Sequence, residues 1–287
     1  GYQSDAQATL AVSYNGLTGY ANSLHEALTK PYPAYETVGV RNPGGDYNQL
    51  GTSLLQIENE FYGTIRPKRT TRSGERPLHA LRERGVEYVE VRLMDLDPFD
   101  PLGINTSTMR MLDVFLLHCL LTDSPPDSPE EIAQLKHNQH LAAERGREPG
   151  LQLLRGQDRV ALVDWAAQVL HECAPMAAAL DATHATTAYS EALALARQRV
   201  AQPQTTPSAR VLDDMRRLHG NSFEQFGLTQ SLWAREHLLG LPWSEAQQAQ
   251  FAQFAQTSVQ AQQAIEAADT GTFEEWRQRY MDPAALG

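Results

Sequence analysis

The chain is poor in cysteine: 287 residues hold only Cys119 and Cys173. Two thiols so far apart form neither a disulfide framework nor zinc-ligand spacing, and both are expected as buried free thiols. Long apolar runs are missing too. The most apolar stretch, 109–121, is interrupted by Arg110, Asp113 and His118, short of the roughly 18 apolar residues that a membrane span needs. Gly1-Tyr2-Gln3-Ser4-Asp5 has neither the basic start nor the apolar core of a secretion signal, so a cytoplasmic address is expected. Positive charge is in deficit, with 24 Lys+Arg against 35 Asp+Glu and a net charge of −11, which excludes a generally basic nucleic-acid binder. Neither G-x-x-x-x-G-K-[ST] nor G-x-G-x-x-G occurs, so any nucleotide site is of a less common kind. An initiator Met is also lacking, and the chain reads as a piece processed from, or cut out of, something longer.

What is present suffices for a globular core, with 41% hydrophobic residues. Leu17, Tyr20, Ala21, Leu24 and Leu28 recur at helical spacing until Pro31 and Pro33 stop them. Asn42-Pro43-Gly44-Gly45-Asp46 is turn chemistry. Two segments, 54–62 and 86–94, alternate as strands do, separated by a basic, irregular connection over 63–85. From 105 onward the spacing is helical, predicting helices over 106–122, 129–145, 158–180, 186–199, 207–219 and 222–238. Two more start at the capping pairs Ser244/Gln247 and Thr272/Glu275. The Gln/Ala-rich stretch 246–264 keeps Phe251, Phe254, Val259 and Ile265 as a partial apolar face. Strands first and helices after is an α+β layout, with a sheet-forming part over 1–104 and a helical part over 105–287.

The charge is unevenly spread. Between 66 and 84 lie Arg66, Lys68, Arg69, Arg72, Arg76, Arg82 and Arg84 against only Glu75 and Glu83. Such a stretch is either a solvated surface loop or a clamp for a polyanion such as a nucleotide phosphate. The strand Glu87-Tyr88-Val89-Glu90-Val91-Arg92 puts Tyr88, Glu90 and Arg92 on one face. Facing a cavity, Glu90 would ligate a hard divalent cation and Arg92 would hold a carboxylate or phosphate; facing solvent, they form an ordinary surface ion pair. In the preceding segment Glu58, Glu60 and Tyr62 share a face, and either Asn59 or Glu60 is left to face a ligand. His137 and His140 on a helix lack partners at metal spacing. Cys119 beside His118 is no catalytic pair, because helical neighbours in sequence point apart, and Cys119 is expected in the core. Ser208 lacks a nucleophile-elbow context.

Leu55-Gln56-Ile57-Glu58-Asn59-Glu60-Phe61-Tyr62, Ile65-Arg66-Pro67-Lys68-Arg69, Arg72-Ser73-Gly74-Glu75 and Gly85-Val86-Glu87-Tyr88-Val89-Glu90-Val91-Arg92 together resemble the bacterial glutamate–cysteine ligase family. Asp95, Asp97-Pro98-Phe99, Gly146-Arg147, Pro149-Gly150-Leu151, Ser208-Ala209-Arg210 and Glu266-Ala267-Ala268-Asp269-Thr270 extend the resemblance, in order, over essentially the whole chain. It implies the C-terminal part of a glutamine-synthetase-like fold, an antiparallel sheet funnel with helices outside. The implied activity is ATP-dependent joining of the γ-carboxyl of L-glutamate to the amine of L-cysteine through a γ-glutamyl phosphate, the first step of glutathione synthesis. Implied cofactors and partners are Mg2+ (or Mn2+), ATP as co-substrate, and an N-terminal half carrying most of the metal-binding carboxylates; neither nucleic acid nor membrane is implied. By the same resemblance Glu90 is a metal ligand, and Arg92 binds the substrate carboxylate or the phosphorylated intermediate. Tyr2 and Tyr62 lie near the cysteine pocket, and Arg66 and Lys68 near the nucleotide phosphates. The chain alone is expected to be inactive. The alternatives are a non-catalytic module that binds an amino acid or a partner, and a carboxylate–amine ligase that uses another amine.

Overall fold

The computed structural model describes residues 5–7, 10–92 and 94–287. The chain is α+β and divides into two compact units, one of Gly1–Met94, Pro125–Asp127 and Pro242–Gly287, the other of Asp95–Ser124 and Ser128–Leu241. No helix among the described residues is long and apolar enough to cross a membrane.

The first unit is organised by α1 (Leu17–Thr29), whose apolar spacing buries Tyr20, Ala21, Leu24 and Leu28 as the sequence predicts, and Ala27 with them. After the short α2 (Pro33–Val38) come strand β1 (Ile65–Lys68), helix α3 (Pro77–Arg84) and strand β2 (Tyr88–Val91). α1 and α3 share a core with Leu55, Phe61, Leu78, Leu81 and Leu286. Pro77 starts α3 at a position where a missing N–H costs nothing, and Gly85 stops it at φ +74°.

The expected strand over 54–62 is not one. Its apolar alternation serves a folded-back segment in which Leu55 and Phe61 enter the core and Glu58–Glu60 forms a single 3-10 turn. The Gln56 amide donates to Oε2 of Glu60 (2.6 Å), and the Leu55 amide pairs with the Ala27 carbonyl of α1 (2.9 Å). The strand that does pair with β2 lies inside the supposedly irregular basic connection. Pro67, which cannot donate to a ladder, disguises it; a two-stranded sheet is all edge, where proline is tolerated.

The second unit runs through α4 (Thr106–Leu121), α5 (Pro129–Arg145), hairpin β3 (Gln152–Arg155) and β4 (Asp158–Ala161), then α6 (Leu162–Glu172), α7 (Ala174–His184), α8 (Ala188–Ala201), α9 (Pro207–Leu218) and α10 (Phe223–Leu239). Val114, Leu170, Cys173, Ala177 and Leu193 form its core. The single helix predicted over 158–180 is three elements: residues 158–161 pair with β3 across a turn where Gly156 takes φ +62°, and Pro175 forces a new helix after Cys173. Cys173 is fully buried as expected, whereas Cys119 is exposed on the outer side of the last turn of α4.

The chain then returns to the first unit with α11 (Glu245–Ala268) and α12 (Phe273–Met281), each opened by the predicted capping box. Phe251, Phe254, Val259 and Ile265 of α11 are all exposed.

Candidate functional site

In the β1–β2 hairpin Ile65 pairs with Val91, Arg66 with Glu90, Pro67 with Val89 and Lys68 with Tyr88. Side chains of directly opposed residues share a face, so Arg66, Lys68, Tyr88 and Glu90 stand on one side. Arg92, two residues beyond Glu90, joins them by the period of the strand. The face that the sequence assigns to Tyr88, Glu90 and Arg92 therefore exists, and it gains its partners from the basic stretch.

Glu90 is the centre of that face. Nζ of Lys68 lies 3.1 Å from its Oε2, and Nε of Arg92 donates to its Oε1 at 2.5 Å. With Arg92 and then Lys68 beside it, the Glu90 carboxyl is held below the usual carboxylate range. All three side chains are about one-third exposed, so the cluster is an accessible surface and not a sealed ion pair. A hard divalent ion requires oxygen donors, and Glu90 is an ionised carboxylate on a rigid strand already occupied by cationic groups. The residues fit a role as one donor of such a site.

Arg66, expected at the nucleotide phosphates, is turned inward. It is 5% exposed, and its Nη2 donates to the Phe61 carbonyl and to the Asn59 carbonyl (3.0 Å). Burial, with the Arg92 charge nearby, lowers its pKa. In the chain those carbonyls lie just before Tyr62, whose ring centroid is 5.8 Å from the Arg66 guanidinium carbon and which is 48% exposed. Arg66 thus braces the turn that presents Tyr62, because a guanidinium with five fixed donors can hold two carbonyls at once. Asn59 is exposed, while Glu60 is engaged with the Gln56 amide. Tyr2 lies outside the described residues.

Most of the basic stretch is committed within the chain. Arg76 is 3% exposed, with its Nε 3.0–3.1 Å from both oxygens of the buried Glu58, and its guanidinium lies over the Tyr280 ring at 4.2 Å. Oε1 of Glu58 also accepts from the Leu78 amide (3.2 Å) in the first turn of α3, capping that helix from a distant segment. Arg84 binds both oxygens of Glu75 at 2.7 Å, and with the Arg72 amide it drives the Glu75 pKa down to about 2. Arg69 faces Glu87 at 3.9 Å, and Arg82 donates to the Gly287 carbonyl. The seven cations that read as one clamp are therefore mostly internal struts, and Lys68 is the one set beside Glu90 on the open face.

Glu75, His79 and Glu83 also bring donor atoms within 4.8 Å of one another, but Nη1 of Arg84 bonds both carboxylates at 2.5–2.7 Å, so a cation of the protein fills that place. His137 and His140 are exposed on α5 and belong to no donor cluster among the described residues.

The chain is an α+β scaffold that carries this charged hairpin face. It is similar to the glutamate–cysteine ligase of Francisella tularensis, solved in complex with AMP, with a TM-score of 0.88, 32% identity, and coverage of 98% of this chain and 55% of that one. A bifunctional glutathione synthetase from Pasteurella multocida shares the fold alone, at a TM-score of 0.52 and 19% identity. The glutamate-cysteine ligase family model matches residues 1–142. The glutamate–cysteine ligases of Azotobacter vinelandii and Alcanivorax borkumensis are 44% and 42% identical over 98% of the chain. The chain belongs to the glutamate–cysteine ligase family, and it spans about half the length of the curated relatives that it matches.

Proposed function

We propose that the chain is the C-terminal part of a cytoplasmic ligase that joins L-glutamate, through its γ-carboxyl, to the amine of L-cysteine at the expense of ATP. The observation that carries this is the charged hairpin face, Lys68, Tyr88, Glu90 and Arg92, set in a chain that matches ligases of this activity along 98% of its length. The AMP held by the Francisella relative supports a nucleotide as a ligand of the same scaffold.

In this reading Glu90 is one ligand of Mg2+ (or Mn2+), and Lys68 and Arg92 stand beside the anions that meet there. The γ-carboxylate of glutamate takes the terminal phosphoryl group of ATP, releasing ADP. The cysteine amine then attacks the acyl carbon, phosphate leaves, and the nitrogen loses a proton. The bound metal would supply charge neutralisation on the phosphoryl oxygens. Arg92, with its planar fork, orients the substrate carboxylate or the acyl phosphate. Lys68, a flexible point charge, follows the nucleotide phosphates. Tyr62, steadied by the Arg66 bridge to the carbonyls just before it, lines the cysteine side, the role that the resemblance gives to Tyr2 as well. Arg66 supports the site and does not touch phosphate.

One carboxylate cannot supply the six or so oxygens that such an ion takes, so the chain needs the remaining half of the enzyme as its partner. Mixing the chain with that half, and measuring ADP release that depends on both glutamate and cysteine, is the test. Release with both substrates supports the reading. A folded assembly that binds glutamate but releases no ADP would instead fit a non-catalytic binding module, and preference for another amine would fit a different carboxylate–amine ligase.

A further inference from the structure

The β1–β2 hairpin has two outer edges, and they are not equivalent. The Arg92 amide donates to the Thr64 carbonyl at 2.9 Å, and ladder bonds alternate from there. Arg66 and Glu90 therefore bond each other, whereas the opposed pairs Ile65–Val91 and Pro67–Val89 turn their backbone polar groups outward. On the β1 edge one of those outward positions is Pro67, which has no N–H to offer. The β2 edge has no such interruption. Val89 and Val91 each present a donor and an acceptor there, and no third strand takes them among the described residues. β1 is also flanked within the chain, since α3 packs on it and the Arg66 guanidinium reaches back to the Asn59 and Phe61 carbonyls. Proline is one of the devices by which a sheet edge refuses further pairing, while an extended, β-branched run with every backbone group free invites it.

We propose that β2, and not β1, is the edge at which this sheet continues, and that its occupant is an extended segment of the remaining half of the ligase, hydrogen-bonded to the backbone of Val89 and Val91. The chain spans about half the length of the relatives that it matches, so a ligase of that length has further chain with which to cover the edge. The inference rests on the proposed completion of the ligase by that half and adds where the two meet. Adjacent strands lie about 4.8 Å apart, so every second side chain of the incoming strand stands beside Tyr88, Glu90 and Arg92. The pairing that joins the halves thereby walls the charged face on its β2 side, and Lys68, on β1, is left at the outer margin.

The test is amide hydrogen exchange of the isotope-labelled 287-residue chain, alone and mixed with the unlabelled remaining half. The expected result is slowing of the Val89 and Val91 amides by roughly tenfold or more on mixing, as for amides that gain a ladder bond, with the Ile65 amide unchanged. Val89→Pro deletes one outward N–H without touching the bonds between β1 and β2, and Ile65→Pro does the same on the other edge; hairpin chemical shifts of each variant report that the strands still pair. Val89→Pro is expected to weaken assembly roughly ten- to a hundredfold, the loss when a strand bond goes and its acceptor is stranded, and Ile65→Pro by less than about twofold. Should either variant fail to fold, exchange in the wild type still decides. Slowing at Ile65, at both edges or at neither, in an assembly that releases ADP with both glutamate and cysteine, overturns the edge assignment and leaves the ligase reading standing. Slowing at Val89 and Val91 in an assembly that releases no ADP does the reverse. Slowing there that grows with the concentration of the chain alone makes a second copy the occupant and overturns the proposal, as does failure of the wild-type chain to assemble with that half.

Discussion

Arg76 lies against Glu58 with its Nε within 3.1 Å of both carboxylate oxygens and its Nη2 at 3.0 Å, and both side chains are more than nine-tenths buried. The pair joins the 3-10 turn at Glu58–Glu60 to the first turn of α3, and the Leu78 amide donates to the same carboxylate. Removing one partner strands the other charge where water cannot reach it. Glu58→Ala is expected to destabilise the first unit by about 3–5 kcal/mol, and the double change Glu58→Met with Arg76→Met by far less, because an apolar pair of similar volume leaves no buried charge unmatched. Hydrogen exchange of the α1 and α3 amides measures both. Equal losses in the two variants would show that the pair acts through packing and not through charge.

The link between Glu75 and Arg84 makes stability depend on pH in a definite direction. Arg84 and the Arg72 amide hold the Glu75 carboxyl at about 2 in the folded chain, below its unfolded value of about 4.5. A depressed carboxylate contributes stability that is complete above the unfolded value and is lost as pH falls from there through the folded one. The expected outcome is a carboxyl carbon resonance of Glu75 with a midpoint near pH 2, shifting upward in Arg84→Gln, and a thermal midpoint less sensitive to acid between pH 5 and 2 in that variant. A Glu75 midpoint at the ordinary value in the wild type would contradict the geometry.

Asn138 makes the corresponding prediction for the second unit. Its amide is 7% exposed on α5 and treats β3 as a neighbouring strand would: Nδ2 donates to the Leu154 carbonyl (2.7 Å) and Oδ1 accepts from the Leu154 amide (2.8 Å). Asn138→Leu leaves both backbone groups unsatisfied at about 1–3 kcal/mol each, and Asn138→Asp loses one bond and sets a carboxylate against a carbonyl. Both should destabilise the β3–β4 hairpin, read as faster exchange of its amides, with Asn138→Asp improving at low pH as its carboxyl regains a proton. Unchanged hairpin exchange in both variants would remove Asn138 from the framework.

Where a helix carries its own cap or apolar stripe it was legible, because that information is local. Ser128, Ser244 and Thr272 each accept a backbone N–H from the third residue on, as the capping rule requires, and the apolar spacing of α1 is the face it buries. The strand around Glu90 was legible by alternation. Its partner was not, because Arg66-Pro67-Lys68 carries no apolar alternation and a proline, and only pairing with β2 makes it a strand. The alternation over 54–62 misled for the converse reason: burial of Leu55 and Phe61 satisfied its apolar side without a ladder, while Glu58 of the polar side is buried as well. Composition marked the basic stretch but could not say that Arg66, Arg76 and Arg84 find partners inside the fold, since Glu58 and Glu75 meet them only once α3 is in place.

Glu90 and Arg92 are separable by substitution because they are asked to do different things. In the completed ligase, Glu90→Gln keeps the shape and the hydrogen bond from Arg92 but removes the charge, so metal affinity should fall while the hairpin still folds, and turnover should drop by at least a hundredfold, the scale of losing one group that stabilises the developing charge. Arg92→Lys keeps the charge and removes the planar fork. Its expected effect is a rise in KM for glutamate together with a fall in kcat, at Mn2+ affinity close to that of the wild type, because a lysine cannot offer two parallel N–H donors to a carboxylate. Steady-state ADP release gives the kinetic half of this comparison, and Mn2+ binding gives the other. If Arg92→Lys instead weakened Mn2+ binding and left KM for glutamate unchanged, Arg92 would be acting only through Glu90, as a positioning residue for the metal ligand rather than as the group that meets the substrate.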